Sequence, residues 1–87
     1  MGYLYILYSL KLDRYYVGST TNPDRRISEH QRGQTRSTAR GAPWEVKMLQ
    51  SFPSKSEALH AEMRLKRWKN RFEIERVITE GAMHSAG

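Results

Sequence analysis

The sequence contains no cysteine, which excludes a disulfide framework, a thiol nucleophile and a Cys-rich zinc site. That absence fits a reduced, cytoplasmic compartment. No apolar run approaches the ~20 residues that a bilayer-spanning helix needs, so no membrane span is expected. The N-terminus lacks a basic segment leading into a long apolar stretch and a small-residue cleavage site, and no export is expected. There is no internal repeat, no low-complexity tract, no linker, and no cluster of acids fit to hold two metal ions. Apolar residues are few, 38% of the 87, which limits the chain to one small domain with a modest core. Acids are also few: 9 Asp and Glu against 15 Lys and Arg, a formal charge of +6. The excess favours a polyanionic partner, nucleic acid ahead of an anionic membrane surface.

What is present reads as a single α+β unit. Tyr3-Leu4-Tyr5-Ile6-Leu7-Tyr8 has no polar interruption, the pattern of a strand covered on both faces. Ser9 to Arg14 reads as a reversal, and Tyr15-Tyr16-Val17-Gly18 as a second, antiparallel strand. A turn centred near Leu10 and Lys11 would set Tyr5 opposite Tyr16, two phenols on one face. Asn22 suits an N-cap, Pro23 the first helical position and Asp24 the positive end of the dipole. The helix then carries Arg25, Arg26, Ile27 and His30, with Gly33 as its stop. Residues 34–43 form a polar loop bearing Arg36 and Arg40. Trp44, Val46 and Met48 alternate with Glu45 and Lys47, as in a strand with one buried face. Ser54-x-x-Glu57 is a capping box for a second helix, with Ala58, Leu59, Ala61, Leu65 and Trp68 at helical spacing. Phe72, Ile74, Val77 and Ile78 predict a third. The order is ββαβαα, a small three-stranded antiparallel sheet flanked by helices over residues 1–80, with 81–87 expected to fray.

Several residues can do chemistry. Arg26 and His30, four apart, share a helix face, and Ile27 is the only strong apolar residue there. The pair therefore lies against the sheet or along a cleft, unless Arg26 is simply solvated. Glu62 falls between Ala58 and Leu59 on the helical wheel, inside the apolar stripe. A carboxylate there needs a partner: either Lys66, four residues on, or a metal ion. The five tyrosines are good strand formers, and periodicity does not separate packed ones from reactive ones. Two basic clusters, Arg25, Arg26, Arg32, Arg36 and Arg40, then Arg64, Lys66, Arg67, Lys69 and Arg71, lack matching acids and suit a phosphate-tracking surface.

Together these residues resemble the GIY-YIG nuclease family, in its small stand-alone form, from Tyr3 to about Glu80. Tyr3-Leu4-Tyr5 stands for Gly-Ile-Tyr, with Tyr3 in place of the glycine, and Tyr16-Val17-Gly18 for Tyr-Ile-Gly. Arg26, His30 and Glu62 match the family's arginine, the histidine of a subset, and the metal-binding glutamate. Asn70 is the nearest candidate for a polar residue that many members carry after the glutamate.

The resemblance implies hydrolysis of phosphodiester bonds in nucleic acid, DNA more than RNA. It implies one divalent ion, Mg²⁺ or Mn²⁺, on Glu62. Phosphoryl transfer needs positioning and charge cancellation, which Arg26 supplies as a fork-shaped cation. The likeness gives Tyr5 the base role, Tyr16 the orientation of water or phosphate, and His30 an assisting hydrogen bond. A phenol with pKa near 10 needs cations beside it to act as a base, for which Arg26 and Lys11 are at hand. Lys11, Arg25, Arg36, Arg40, Lys66, Arg67 and Lys69 are the expected nucleic-acid contacts. A domain this small leaves specificity to its loops or to a protein partner. The alternatives are a basic binding module of the same fold without turnover, and a structural nucleoprotein component.

Overall fold

The run of apolar and aromatic residues at the start of the chain becomes the central strand of the sheet. The computed structural model describes residues 1–68 and 70–82, apart from the side chain of Trp68. In it β1 (Gly2–Ser9) lies between β2 (Arg14–Thr20) and β3 (Glu45–Phe52), antiparallel to both. Helix α1 (Pro23–Gln31) follows β2, and α2 (Lys55–Trp68) and α3 (Arg71–Glu80) follow β3. This is the expected ββαβαα order, with one added turn of 3₁₀ helix at Ala39–Gly41. No helix among the described residues is long and apolar enough to cross a membrane.

Because β1 is central, its alternate residues feed two separate cores. Leu4 and Ile6 join Val17, Met48, Ala61, Leu65 and Val77 beneath α2 and α3. Tyr5 and Leu7 join Trp44, with Tyr16, Ile27 and Ala42 against them, on the α1 side. Gly2 has no side chain because a Cβ there would stand 2.8 Å from the Ala58 Cβ, which lets α2 cross close over β1.

The hairpin register differs from the expected one. Tyr5 pairs with Gly18 and Tyr16 with Leu7, so the turn lies two residues' worth of register further on. Asp13 takes the left-handed conformation, φ 52°, which Asp tolerates through its short polar side chain. It accepts hydrogen bonds from Tyr8 Oη at 2.6 Å and Arg71 Nη2 at 2.8 Å. A slip of two preserves side-chain direction, so Tyr5 and Tyr16 still share a face.

β3 departs further. Ile6 pairs with Met48 but Leu7 with Val46, leaving Lys47 as an extra residue. Such a bulge reverses the parity of the strand. Trp44 accordingly packs on the α1 face and Met48 on the α2 face, while Val46 is exposed. The single buried face expected for these three does not form.

The helix caps follow the sequence. Asn22 Oδ1 accepts from the Arg25 amide at 3.2 Å, and Ser54 Oγ from the Glu57 amide at 3.2 Å. Gly33 and Gly81 adopt left-handed φ values of 72° and 81° just past α1 and α3. In α2 the buried stripe is Ala58, Ala61 and Leu65, with Leu59 42% exposed. In α3, Phe72 is 71% exposed because Val77, Ile74 and Ile78 take the core. The frayed tail expected from residue 81 onward falls, from 83, outside the described residues.

Candidate active site

The hairpin and α1 enclose the two motif phenols. Tyr5 is only 1% exposed, and its ring lies across Gly18, where any Cβ would strike the Tyr5 hydroxyl and Cζ. Glycine is what leaves room for that ring. The Tyr5 and Tyr16 rings are 6.3 Å apart between centroids, and His30 sits 5.7 Å from the first and 4.9 Å from the second. Fully buried on α1, His30 places Nε2 3.0 Å from Tyr5 Oη and Nδ1 2.6 Å from Thr38 Oγ1. Trp44 closes the floor, 6.2 Å from Tyr16.

Electrostatics assign these groups different states. Burial pushes the Tyr5 phenol up to about 12, against the downward pull of the Arg26 guanidinium beside it; the charges of Tyr16 and Glu62 add to the rise. Nearby cations therefore do not make Tyr5 a ready phenolate, contrary to expectation, because desolvation outweighs them. His30 is held below the usual imidazole range, first by burial and then by Arg26. Arg26 is held above its usual value, mainly by the Tyr5 phenol beside it.

Glu62 reaches the site from the other side. It projects from α2 on the face that carries Leu4, Ile6 and Val17, whereas both phenols lie on the opposite face. The two halves meet around the outer edge of β2. Ser19 Oγ–H donates to Glu62 Oε1 at 2.5 Å, and Lys66 Nζ lies 2.7 Å from Oε2. The same ammonium stands 5.6 Å from the centre of the Tyr16 ring. Glu62 thus leans off the apolar stripe, with a side chain 15% exposed, and takes Lys66 as its partner.

Whether these residues suit a divalent ion turns on that carboxylate. Among the described residues no group of three His, Cys, Asp or Glu could hold a metal. A water-rich ion such as Mg²⁺ asks for only one or two carboxylates. Glu62 fits that demand as a single ligand, provided that Lys66, which is 48% exposed, gives way.

Beside Arg26 runs an open cleft of about 350 Å³, lined among others by Ser19, Thr20, Asn22, Arg25 and Lys55. The basic residues are less free than their spacing suggests. Arg25 and Arg26 both pair with Glu29, at 3.3 and 3.5 Å. Arg71 pairs with Asp13 at 2.8 Å and Glu75 at 3.4 Å. Acids one helical turn away, or across the fold, thus pair with several members of the runs that read as unmatched. Lys11, Arg36, Arg40 and Arg67 are exposed; Lys69 lies outside the described residues. Asn70 caps α3, accepting from the Phe72 amide at 2.8 Å, which is a structural task.

The structure thus brings Tyr5, Tyr16, Arg26 and His30 together on the α1 side of the sheet, with Glu62 on the opposite face and linked to Tyr16 through Lys66. Sequence reasoning missed Ser19 and Thr38. Ser19 carried a usable signal, since it lies two strand positions from Val17 on the face that α2 covers. Thr38, in an irregular loop, carried none.

Residues 1–75 match the family model described as the GIY-YIG catalytic domain. A UPF0213 protein of Halalkalibacterium halodurans is 36% identical over 80 residues, covering 91% of this chain and 84% of that one. The solution NMR structure of a UPF0213 protein from Bacillus halodurans is similar at a TM-score of 0.59 and 36% identity, with the same coverage. A structure-specific endonuclease subunit SLX1 of Chaetomium globosum is 44% identical over 72 residues, 71% of this chain, which spans only 22% of that subunit's length. The paired phenols, the buried histidine, the arginine and the edge glutamate thus stand within a matched span that runs from the first strand into α3, and the chain belongs to the GIY-YIG nuclease family.

Proposed function

We propose that this domain is a divalent-metal-dependent endonuclease that hydrolyses phosphodiester bonds in DNA by a one-metal route. The observation that carries the reading is the grouping of Tyr5, Tyr16, Arg26 and His30 beside the cleft, with Glu62 meeting them round the β2 edge by way of Lys66. A fold alone has little use for a largely buried carboxylate whose lysine partner reaches a phenol on the other face.

Arg26 lies beside Tyr5 and lines the cleft, where its fork suits the non-bridging oxygens of a phosphate. Glu62 would hold the ion, which when bound supplies charge neutralisation at the leaving oxygen. Tyr5, buried and with its pKa raised, is better suited to stay a neutral phenol that orients Arg26 and His30. The half-buried Tyr16 is the better base for the attacking water, with Lys66 near its ring. His30 assists through Tyr5. Arg25 and Lys55 line the path for the backbone; Lys11, Arg36, Arg40, Lys66 and Arg67 extend the basic surface.

The SLX1 relatives are named as structure-specific endonuclease subunits, which supports a branched or flapped DNA substrate and a protein partner that supplies targeting. Cytoplasmic residence accords with the cysteine-free sequence.

A second reading, a binding module without turnover, draws on one observation: Lys66 occupies the Glu62 oxygen that a metal would use. Cleavage profiling on single-stranded, duplex, flap and junction DNA, with and without Mg²⁺ or Mn²⁺, separates the two. Metal-dependent products that vanish in Glu62→Gln and Arg26→Ala, both still folded, support the nuclease. Retarded mobility without products under either metal supports the binder.

A further inference from the structure

Thr38 lies eight residues beyond His30, in the loop between α1 and β3, and its side chain is as buried as the histidine it touches. We propose that Thr38 is a positioning residue: it holds His30 in the Nδ1–H tautomer, so that Nε2 accepts a hydrogen bond from the Tyr5 hydroxyl. The proposal rests on the nuclease reading for its catalytic consequence, but not for the tautomer itself.

The direction of the chain follows from counting protons. A neutral imidazole carries one N–H, and its two nitrogens meet Tyr5 Oη at 3.0 Å and Thr38 Oγ1 at 2.6 Å. The Thr38 hydroxyl has an acceptor of its own, the Thr35 carbonyl at 3.4 Å. It can therefore accept from Nδ1–H while donating onward. Tyr5 has no such latitude. The guanidinium beside it can only donate, and the phenol is closed to solvent. Were Nε2 protonated, it would donate to Tyr5 Oη, and the phenol's own proton would be left without the acceptor that a buried hydroxyl requires, since the neighbouring guanidinium accepts nothing. With Nδ1 protonated, every group is satisfied: Tyr5 O–H to Nε2, Nδ1–H to Thr38 Oγ1, and Thr38 O–H to the Thr35 carbonyl. No buried side-chain polar atom among the described residues lacks a partner, in keeping with this arrangement.

The loop is anchored so that Thr38 can serve this way. Its carbonyl accepts from Trp44 Nε1–H at 2.8 Å, and its amide donates to the Thr35 carbonyl at 3.0 Å. Ser9 Oγ–H donates to the Gly41 carbonyl at 2.8 Å, tying the same loop to β1. None of these bonds uses the Thr38 hydroxyl, so its removal leaves the loop's anchors in place.

The test is imidazole ¹⁵N NMR on the full ¹⁵N-labelled chain, with His30 assigned by loss of its signals in His30→Gln, alongside cleavage kinetics. The wild type and Thr38→Ser are expected to show Nδ1 protonated and Nε2 bare. Thr38→Val, which cannot accept, is expected to populate the Nε2–H tautomer. Its kcat should fall by about 10- to 100-fold, by analogy with losing the partner that orients a metal-bound histidine, with KM within about twofold of wild type. A wild-type His30 protonated on Nε2, or a Thr38→Val protein with unchanged tautomer and kcat, overturns the proposal. A wild type that cleaves nothing sinks the nuclease reading instead, and the spectrum still decides the tautomer.

Discussion

Lys66 Nζ stands 2.7 Å from Glu62 Oε2, one helical turn back along α2, and carries that contact around the edge of the sheet towards the Tyr16 ring. The ammonium is half exposed, so the pair belongs to the class worth about 0.2–1 kcal/mol. A divalent ion approaching Glu62 must displace it. Lys66→Met is therefore expected to tighten Mn²⁺ binding by about 1.4-fold to fivefold, that same energy expressed as an affinity ratio. Electron paramagnetic resonance of free Mn²⁺ measures it directly, with Glu62→Gln as the control that should lose binding. Unchanged affinity in Lys66→Met would show that the ion, if bound, does not sit on Oε2.

The contact between Tyr5 and Gly18 makes a prediction about stability. A methyl group at position 18 would meet the Tyr5 ring and hydroxyl at distances no real side chain tolerates. The ring cannot back away, because His30 holds its hydroxyl on the far side. Gly18→Ala should cost about 1–3 kcal/mol, the usual range for overpacking, read as a lower urea midpoint with unchanged slope. In a double-mutant cycle, Tyr5→Ala should remove most of that cost. Additive penalties would mean that the strain arises elsewhere.

The buried phenol also sets an alkaline limit. Tyr5 titrates near 12 in the folded protein against an ordinary value near 10. A raised pKa means that the folded state keeps its proton longer than the unfolded one. Stability from this group is intact below pH 10 and declines as the pH rises from about 10 through 12. Tyr8 and Tyr15 are also raised, by Asp13 and by burial beside Glu75. Absorbance near 295 nm should therefore show the last tyrosine ionising together with the loss of folded signal, and Tyr5→Phe should remove that last step. A last step unchanged in Tyr5→Phe would assign it to another phenol.

Much of the fold was legible because its signals are local. Asn22-Pro23 and Ser54-x-x-Glu57 mark helix starts by chemistry that acts within one turn. The uninterrupted run from Tyr3 to Tyr8 marks a strand buried on both faces. The misreadings have a common origin in register. A left-handed Asp13 moves the hairpin by two, which spares the phenols' shared face. A bulge at Lys47 moves β3 by one, which separates Trp44 from Met48. Neither leaves a mark in hydrophobic spacing, since each is settled by pairing across strands. The site was legible as a set of residues, through the family resemblance, but not as a geometry. Spacing left Glu62 between a lysine partner and a metal; only the packing of α2 shows the carboxylate at the strand edge with Lys66 on it. Thr38 acts through a contact eight residues away in an irregular loop, where no periodicity reaches.

Placing the acid and the phenols on opposite sides of a three-stranded sheet has a consequence for assembly. The Lys66 side chain passes over the rim that β2 presents, so a fourth strand docking there would evict it and seal the gap. Self-association by sheet extension is compatible with turnover only through the rim of β3, where the bulged, Lys-bearing strand already discourages pairing. Neither rim then offers an easy hold, which leaves the helices and loops as the surfaces open to the proposed targeting protein.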